Sequence, residues 1–367
     1  MHNIVIAGHG IAGLTAGDAL RRQGFTGKLT IIGEDPHPTY SRPALSKAAL
    51  NPDADLMDTI LPAATHEAEE VHGTVTGINV DDSTVTLASG ESLAYDGLVI
   101  ATGANARRFT EDAEEYTLRS LDDAAQLRSR LMTKPSVTII GGGPLGMEVA
   151  SGAVALGCAV RLIQFGLPMQ LQMGPVIGGI LTDIARDHGV DIIDGMVSSV
   201  APGFTIEMED GRVFESEVIV SAIGDAPNSD WLAGSGLLQE GRLITDSRGR
   251  VADNIVAAGD IAWFDGKRSP VWTSAIEEAK IAAAALLHGD DAPEIAYQPY
   301  FWTDQFGTNV KISGPIPHDG EPIVTAGSLA ERAALLHWPE SGTAAAINYR
   351  MPVPRLHKLA RSALPTG

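Results

Sequence analysis

Cysteine is almost missing: Cys158 is the only one in 367 residues, so this sequence cannot close an intramolecular disulfide, structural or redox-active. Basic charge is scarce as well. Lys and Arg number 26 against 46 Asp and Glu, a net charge of −20, whereas nucleic-acid binding needs a basic footprint. No apolar run reaches the ~18 residues of a membrane span. Met1 leads directly into an apolar stretch, leaving no room for a signal peptide, so the expectation is a cytoplasmic protein without membrane association. There is no Gly-x-Ser-x-Gly elbow, and the 10 histidines show no metal-ligand spacing, which argues against that type of serine hydrolase and against a metal site. The length suits two or three domains, and 40 glycines with 44% hydrophobic residues suit an α/β globule.

What is present begins at residue 3. Asn3-Ile4-Val5-Ile6-Ala7 reads as a buried parallel strand, Gly8-His9-Gly10-Ile11-Ala12-Gly13 as a Gly-x-Gly-x-x-Gly loop, and Leu14 to Arg22 as a helix. Gly8 makes the tight turn, Gly10 lets backbone approach a pyrophosphate, and Gly13 lets helix and strand pack closely. A second strand, Leu29 to Gly33, ends at Glu34, 21 residues past Gly13, about where an acid meets an adenosine ribose. The alternative is a glycine-rich turn that holds no ligand.

The pattern then repeats. Val137-Thr138-Ile139-Ile140 is a strand, Gly141-Gly142-Gly143-Pro144-Leu145-Gly146 a second such loop, and Met147 to Leu156 a helix with Glu148 in its first turn, favoured there by the macrodipole. The following strand, Ala159 to Ile163, ends at Gln164, 18 residues past Gly146. The ribose-binding acid is missing, and no adjacent Arg or Lys stands ready for a 2′-phosphate.

Other stretches are less specific. Arg42 and Lys47 follow the first loop and are either ligands or solvated side chains. Residues 51 to 72 read as loop or helix, the 74–87 stretch as a hairpin, and Tyr95 to Gly103 as a buried strand ending in small residues. Residues 104 to 120 are taken as the crossing into a second domain, before a helix from Leu121 to Leu131. Val218 to Gly224 closes the second unit. Asn254 to Gly259 delivers Asp260, which is a ligand or a structural cap. Trp272 to His288 is an Ala-rich helix, and Asn309 to Ser313 suggests an antiparallel sheet in a third unit. After Glu340 there is no acid. Arg355, Lys358 and Arg361 recur at helical spacing as a docking face for an acidic partner or as a solvated helix end.

The two loops, about 130 residues apart, together with Ser41-Arg42-Pro43-Ala44-Leu45-Ser46-Lys47, Ala101-Thr102-Gly103, Ala257-Ala258-Gly259-Asp260, Trp272-Thr273-Ser274-Ala275 and Phe301-Trp302-Thr303-Asp304-Gln305, resemble the FAD- and NADH-dependent ferredoxin reductases of bacterial oxygenase systems. The likeness covers nearly the whole chain. It implies two Rossmann-like dinucleotide-binding domains of glutathione-reductase type plus a small α+β C-terminal domain. The implied bounds are 1–108 and 236–295 for a split FAD domain, 109–235 for an inserted NAD domain, and 296–367 for the last.

By the same resemblance, Gly8, Gly10, Ile11, Ala12 and Gly13 hold the FAD pyrophosphate, Glu34 the adenosine ribose, Val75 the adenine and Arg42 the phosphate side. Ala101, Thr102, Gly103, Gly259 and Asp260 line the cofactor, Asp260 at the ribitol, and Trp272 and Trp302 are flavin-adjacent. Gly141, Gly143, Gly146, Gln164 and Gly224 fall to NADH. Lys47 and Glu148 become an ion pair beside flavin N5, where hydride arrives, and electrons leave for a ferredoxin. Neither a metal nor nucleic acid is implied, and the oligomeric state is left open. Family members usually carry Glu at 164 and Arg at 169, where this chain has Gln164 and Met169. That departure supports an alternative, an FAD enzyme acting directly on a small metabolite with a weakened NAD site, or an FAD-bearing scaffold. Disulfide reductases, which need two cysteines, do not fit, nor do single-cysteine NADH oxidases or peroxidases, since Cys158 lies outside the 41–47 loop.

Overall fold

The computed structural model describes residues 1–110, 115–201, 203–264, 266–296, 298–315 and 320–362. Residues 111–114 of the expected crossing and 363–367 of the expected third unit lie outside them. Two compact units are present. One comprises Met1–Ser41, Ile60–Asn105 and Ala226–Tyr297; the other comprises Arg42–Thr59, Ala106–Asp225 and Gln298–Gly367.

In the first unit a six-stranded sheet runs in the order Arg250–Ala252, Ile255–Ala257, Gly97–Ile100, Asn3–Ala7, Lys28–Gly33, Glu69–His72. All neighbours are parallel except the first pair. Its central strands bury both faces, as helix-covered parallel strands must. Ile4 and Ile6 pack with Ala12, Ala16 and Leu20 of the Ile11–Arg22 helix and with Ala279 and Ala282 of the Trp272–His288 helix. Val5 and Ala7 face Val85, Leu87 and Tyr95. The hairpin is there, with Val75–Asn79 and Thr84–Leu87 antiparallel. Residues 69–72, read above as loop or helix, are instead an edge strand. Glu69-Glu70-Val71-His72 is largely exposed, so no buried face marks it in the sequence.

In the second unit a five-stranded parallel sheet runs Asp191–Asp194, Ala159–Gln164, Ser136–Ile140, Val218–Ser221, Glu115–Tyr116. The Leu121–Leu131 helix has a complete capping box, with Ser120 and Asp123 exchanging bonds. The Gln170–Asp187 helix has no counterpart in the sequence reading: Gly174, at φ 72, and Pro175 break its pattern. The C-terminal part is a five-stranded antiparallel sheet, ordered Tyr300–Gln305, Thr308–Ser313, Thr343–Ile347, Ala333–Trp338, Ile323–Ser328. Leu356 and Ala360 of the Val353–Ala360 helix pack on it against Leu335, Ala344 and Ala346. Two Rossmann-like sheets and a small α+β part are thus the observed architecture. Among the described residues, no helix is long and apolar enough to cross a membrane.

Candidate functional site

Each glycine loop opens a helix with unused N–H groups. Gly10 caps the Ile11–Arg22 helix and Gly143 the Pro144–Ala155 helix, with no side-chain cap and no acid in either first turn, so an anion can take the free donors. The turn glycines have positive φ, +119° at Gly8 and +107° at Gly141, and a Cβ at Gly13 or Gly146 would lie 1.9 Å from the carbonyl oxygen of Gly8 or Gly141. A Cβ at Gly10 would meet nothing within 4 Å, which leaves the open approach that a pyrophosphate needs. Both loops therefore fit a dinucleotide.

The helix after the second loop starts at Pro144, not at Met147, because Pro supplies the helical φ and lacks an N–H that the first turn would leave unused. Glu148 consequently stands beyond the first turn and does not stabilise the helix start.

The strand ends differ between the loops. The Gly8 N–H donates to Ile32 O at 2.8 Å and the Gly141 N–H to Ile163 O at 2.9 Å. By that register Gln164 stands where Gly33 stands, and Phe165 where Glu34 stands. Glu34 is exposed and accepts from Thr74 Oγ1 at 3.2 Å. Gln164 turns inward: its Oε1 accepts from the Gly142 N–H at 2.6 Å and its Nε2 donates to Phe165 O at 2.7 Å. Met169 is buried, and its N–H donates to Gly142 O at 2.8 Å.

The second unit also holds an ion pair on a buried carboxylate. Lys47 Nζ donates to Glu148 Oε2 at 2.8 Å, with side-chain exposures of 18% and 4%. A buried carboxylate is costly unless its lone pairs are filled. Here Ser46 Oγ also donates to Oε2, and Thr303 Oγ1 donates to Oε1 at 2.6 Å. Gln305 Nε2 donates in turn to Thr303 Oγ1 at 3.1 Å. Ser151 Oγ accepts the Phe306 N–H at 2.6 Å, tying this strand to the helix that carries Glu148. Lys47 Nζ further donates to Pro43 O at 3.2 Å and lies 5.9 Å from the Trp302 ring centroid. Two of the ammonium's three protons are thus used by the protein. Ser46, Thr303 and Gln305 sit inside the motifs quoted above, but nothing in the sequence marks them as site residues. Their role becomes visible only when segments 102 and 155 residues apart meet.

Of the other expected site residues, several stand in the first unit. Val75 begins its hairpin strand. The Ala101 N–H donates to Ala7 O at 2.7 Å, Thr102 Oγ1 donates to Asn228 O at 2.9 Å, and Gly103 O accepts the Asn228 N–H at 2.9 Å. Gly259, at φ +79°, donates its N–H to buried Glu278 at 2.9 Å. Asp260 O accepts from Arg268 at 3.1 Å, and Trp272 opens its helix. Gly224, at φ +99°, accepts the Arg107 N–H at 3.0 Å in the second unit. Arg42 is in the second unit too, where its guanidinium donates to Arg119 O. Among the described residues, no group of His, Cys, Asp or Glu could hold a metal.

Comparison with known proteins agrees with this fold. The family described as pyridine nucleotide-disulphide oxidoreductase matches residues 2–284. The ferredoxin–NAD(+) reductase component of the p-cumate 2,3-dioxygenase system of Pseudomonas putida is 33% identical over 326 residues, covering 85% of this chain and 81% of that protein. The ferredoxin reductase component of chlorobenzene dioxygenase from Cupriavidus sp. (strain PS12) is 33% identical over 358 residues, covering 91% and 85%. The crystal structure of the covalent putidaredoxin reductase–putidaredoxin complex matches with a TM-score of 0.87 at 26% identity, covering 97% of this chain and 91% of that one.

Proposed function

Because this chain belongs to the pyridine nucleotide-disulphide oxidoreductase family, we propose that it is an FAD-dependent NADH:ferredoxin reductase, passing electrons to a [2Fe–2S] ferredoxin that serves an oxygenase. The observation that carries this reading is the Lys47–Glu148 pair, its carboxylate buried, in a chain with no redox disulfide. Cys158 is buried, which raises its thiol pKa, and its Sγ donates to Leu131 O at 3.4 Å, so it is poorly placed as a nucleophile. Similarity to reductase components of two dioxygenase systems supports the choice of acceptor.

In this reading Gly8, Gly10, Ile11, Ala12 and Gly13 hold the FAD pyrophosphate and Glu34 its ribose, with Val75, Ala101, Thr102, Gly103, Gly259, Asp260, Trp272 and Trp302 completing the set and Arg42 on the phosphate side. Gly141, Gly143, Gly146 and Gly224 serve NADH, drawn from the cytoplasmic pool. When bound, FAD supplies a hydride acceptor that can release electrons singly. Lys47, fixed on Glu148, offers a positioned positive charge for the hydride-transfer step. Exposed Arg355, Lys358 and Arg361 give an acidic ferredoxin a counter-charge on an otherwise acidic chain.

Anaerobic mixing of the yellow protein with NADH, followed by flavin absorbance, tests this. Rapid bleaching, with turnover only when ferredoxin is added, is expected. Bound FAD that NADH does not bleach would overturn the reading, and turnover of a small metabolite without ferredoxin would replace it with a metabolite enzyme.

A further inference from the structure

The second loop reads its coenzyme without the acid that the first loop retains. Both polar ends of the Gln164 amide are engaged, Oε1 by the Gly142 N–H and Nε2 by Phe165 O, so the side chain is a latch on the loop. The residue in the register of Glu34 is Phe165, which is 71% exposed, and Leu171, on the first turn of the next helix, is 72% exposed. The charged groups at the neighbouring strand end are each engaged elsewhere, Arg212 with the Asp210 carboxylate and Asp194 with a backbone N–H. Asp194 Oδ1 accepts the Gly166 N–H at 2.8 Å, and Arg212 donates to Asp194 O at 2.7 Å while paired with Asp210.

A carboxylate at the strand end bonds the ribose hydroxyls and repels a 2′-phosphate, whereas a cation there attracts one. Here the strand end presents an amide already in use and an exposed aromatic ring, which offers a flat apolar face to an adenosine. We infer that Gln164 positions the phosphate loop rather than the ribose, that Phe165 seats the adenosine, and that this chain consequently takes NAD and NADP coenzymes with similar affinity. The inference rests on the assignment of the second loop to the nicotinamide coenzyme.

Titration calorimetry of the FAD-loaded protein with NAD⁺ and NADP⁺, which bind without reducing the flavin, tests it, with kcat/KM for NADH and NADPH alongside. The two dissociation constants should agree within about threefold. Gln164→Glu places a carboxylate against the Phe165 carbonyl, so that it swings out. It should weaken NADP⁺ about tenfold and spare NAD⁺. Phe165→Ala, which needs no change in the latch, should weaken both by about the same factor, on the order of tenfold. A wild-type preference for NAD⁺ above about tenfold would overturn the inference alone, and loss of that preference in Asp194→Asn would make Asp194 the ribose acid. Binding of neither coenzyme would overturn the reductase reading with it.

Discussion

Between the two glycine loops a side chain and a glycine have changed places. In the first, the middle loop position is His9 and the strand end is Gly33, where a Cβ would fall 2.4 Å from His9 Cβ. In the second, the middle position is Gly142 and the strand end is Gln164, whose Cγ would stand 3.0 Å from a Cβ on Gly142. One side chain fits in that space, and it can come from the loop or from the strand. When the loop supplies it, the strand continues to an exposed acid, Glu34. When the strand supplies it, the amide closes on the loop and the next residue, Phe165, is apolar. A shared backbone can therefore keep its anion cradle while changing how it reads the sugar beyond.

The largest effects should come from equal lesions in the two loops. Gly13→Ala and Gly146→Ala each drive a Cβ to 1.9 Å from a backbone carbonyl oxygen, which a backbone cannot relieve cheaply. Each should cost about 1–3 kcal/mol of stability or more. Their readouts should diverge: Gly13→Ala should purify with little flavin, while Gly146→Ala should stay yellow and lose bleaching by NADH. The ratio of flavin to protein absorbance and stopped-flow reduction separate the two. Equal flavin loss in both variants would erase the division of labour between the loops.

A smaller effect should follow from loosening the carboxylate that only the second loop's helix buries. Thr303→Val removes a donor from Glu148 Oε1 and leaves a buried acceptor short of a partner, a cost of about 1–3 kcal/mol, and it frees the Gln305 amide that now bonds Thr303. Thr303→Ser keeps the hydroxyl and should recover most of the loss. If Thr303 positions Glu148 and through it Lys47, the limiting rate of flavin reduction should fall in the Val variant while the coenzyme dissociation constant holds. A change in coenzyme affinity alone would assign Thr303 a different part.

Local period and glycine spacing are written in consecutive residues, so the loops, their strands and the Leu121–Leu131 and Trp272–His288 helices are legible in the sequence. The 69–72 edge strand is not, because its side chains have no buried face to alternate against, nor is the Gln170–Asp187 helix, whose Gly174 and Pro175 look like a stop. At the site Lys47 and Glu148 stand out through a resemblance, not through spacing. Ser46, Thr303 and Gln305 stayed silent because a hydroxyl's partner 155 residues away leaves no local trace. Likewise Gln164 announced the missing acid, yet whether its amide would face the ribose or the loop depended on Gly142 opening the space.

The smallest expected difference concerns acid. Each loop helix admits a neighbour at a glycine: a Cβ on Gly17 would lie 2.9 Å from His66 Cδ2, and one on Gly152 would lie 3.1 Å from Leu50 Cδ1. Only the first neighbour titrates. His66 is buried, its Nδ1 accepts the Ala68 N–H at 3.1 Å, and its Nε2 has no partner. Burial lowers its pKa below the ordinary 6.5, against opposing pulls from Asp18 and Glu70 and with smaller lowering contributions from His9 and Arg21. The folded state therefore holds the neutral ring where the unfolded chain already takes a proton. The stability this contributes is complete above about pH 6.5 and is lost as the pH falls from there toward the native pKa. Amide exchange around Thr65–Ala68 should accelerate between pH 7.5 and 5.5, beyond the intrinsic pH dependence of exchange, while the helix resting on Leu50 shows no such excess. His66→Asn, which preserves an acceptor for the Ala68 N–H and removes the titration, should flatten the difference. If the two helices respond alike, or if the Asn variant keeps the acid sensitivity, the proton is being taken up elsewhere, and the asymmetry between the loops is confined to their strand ends.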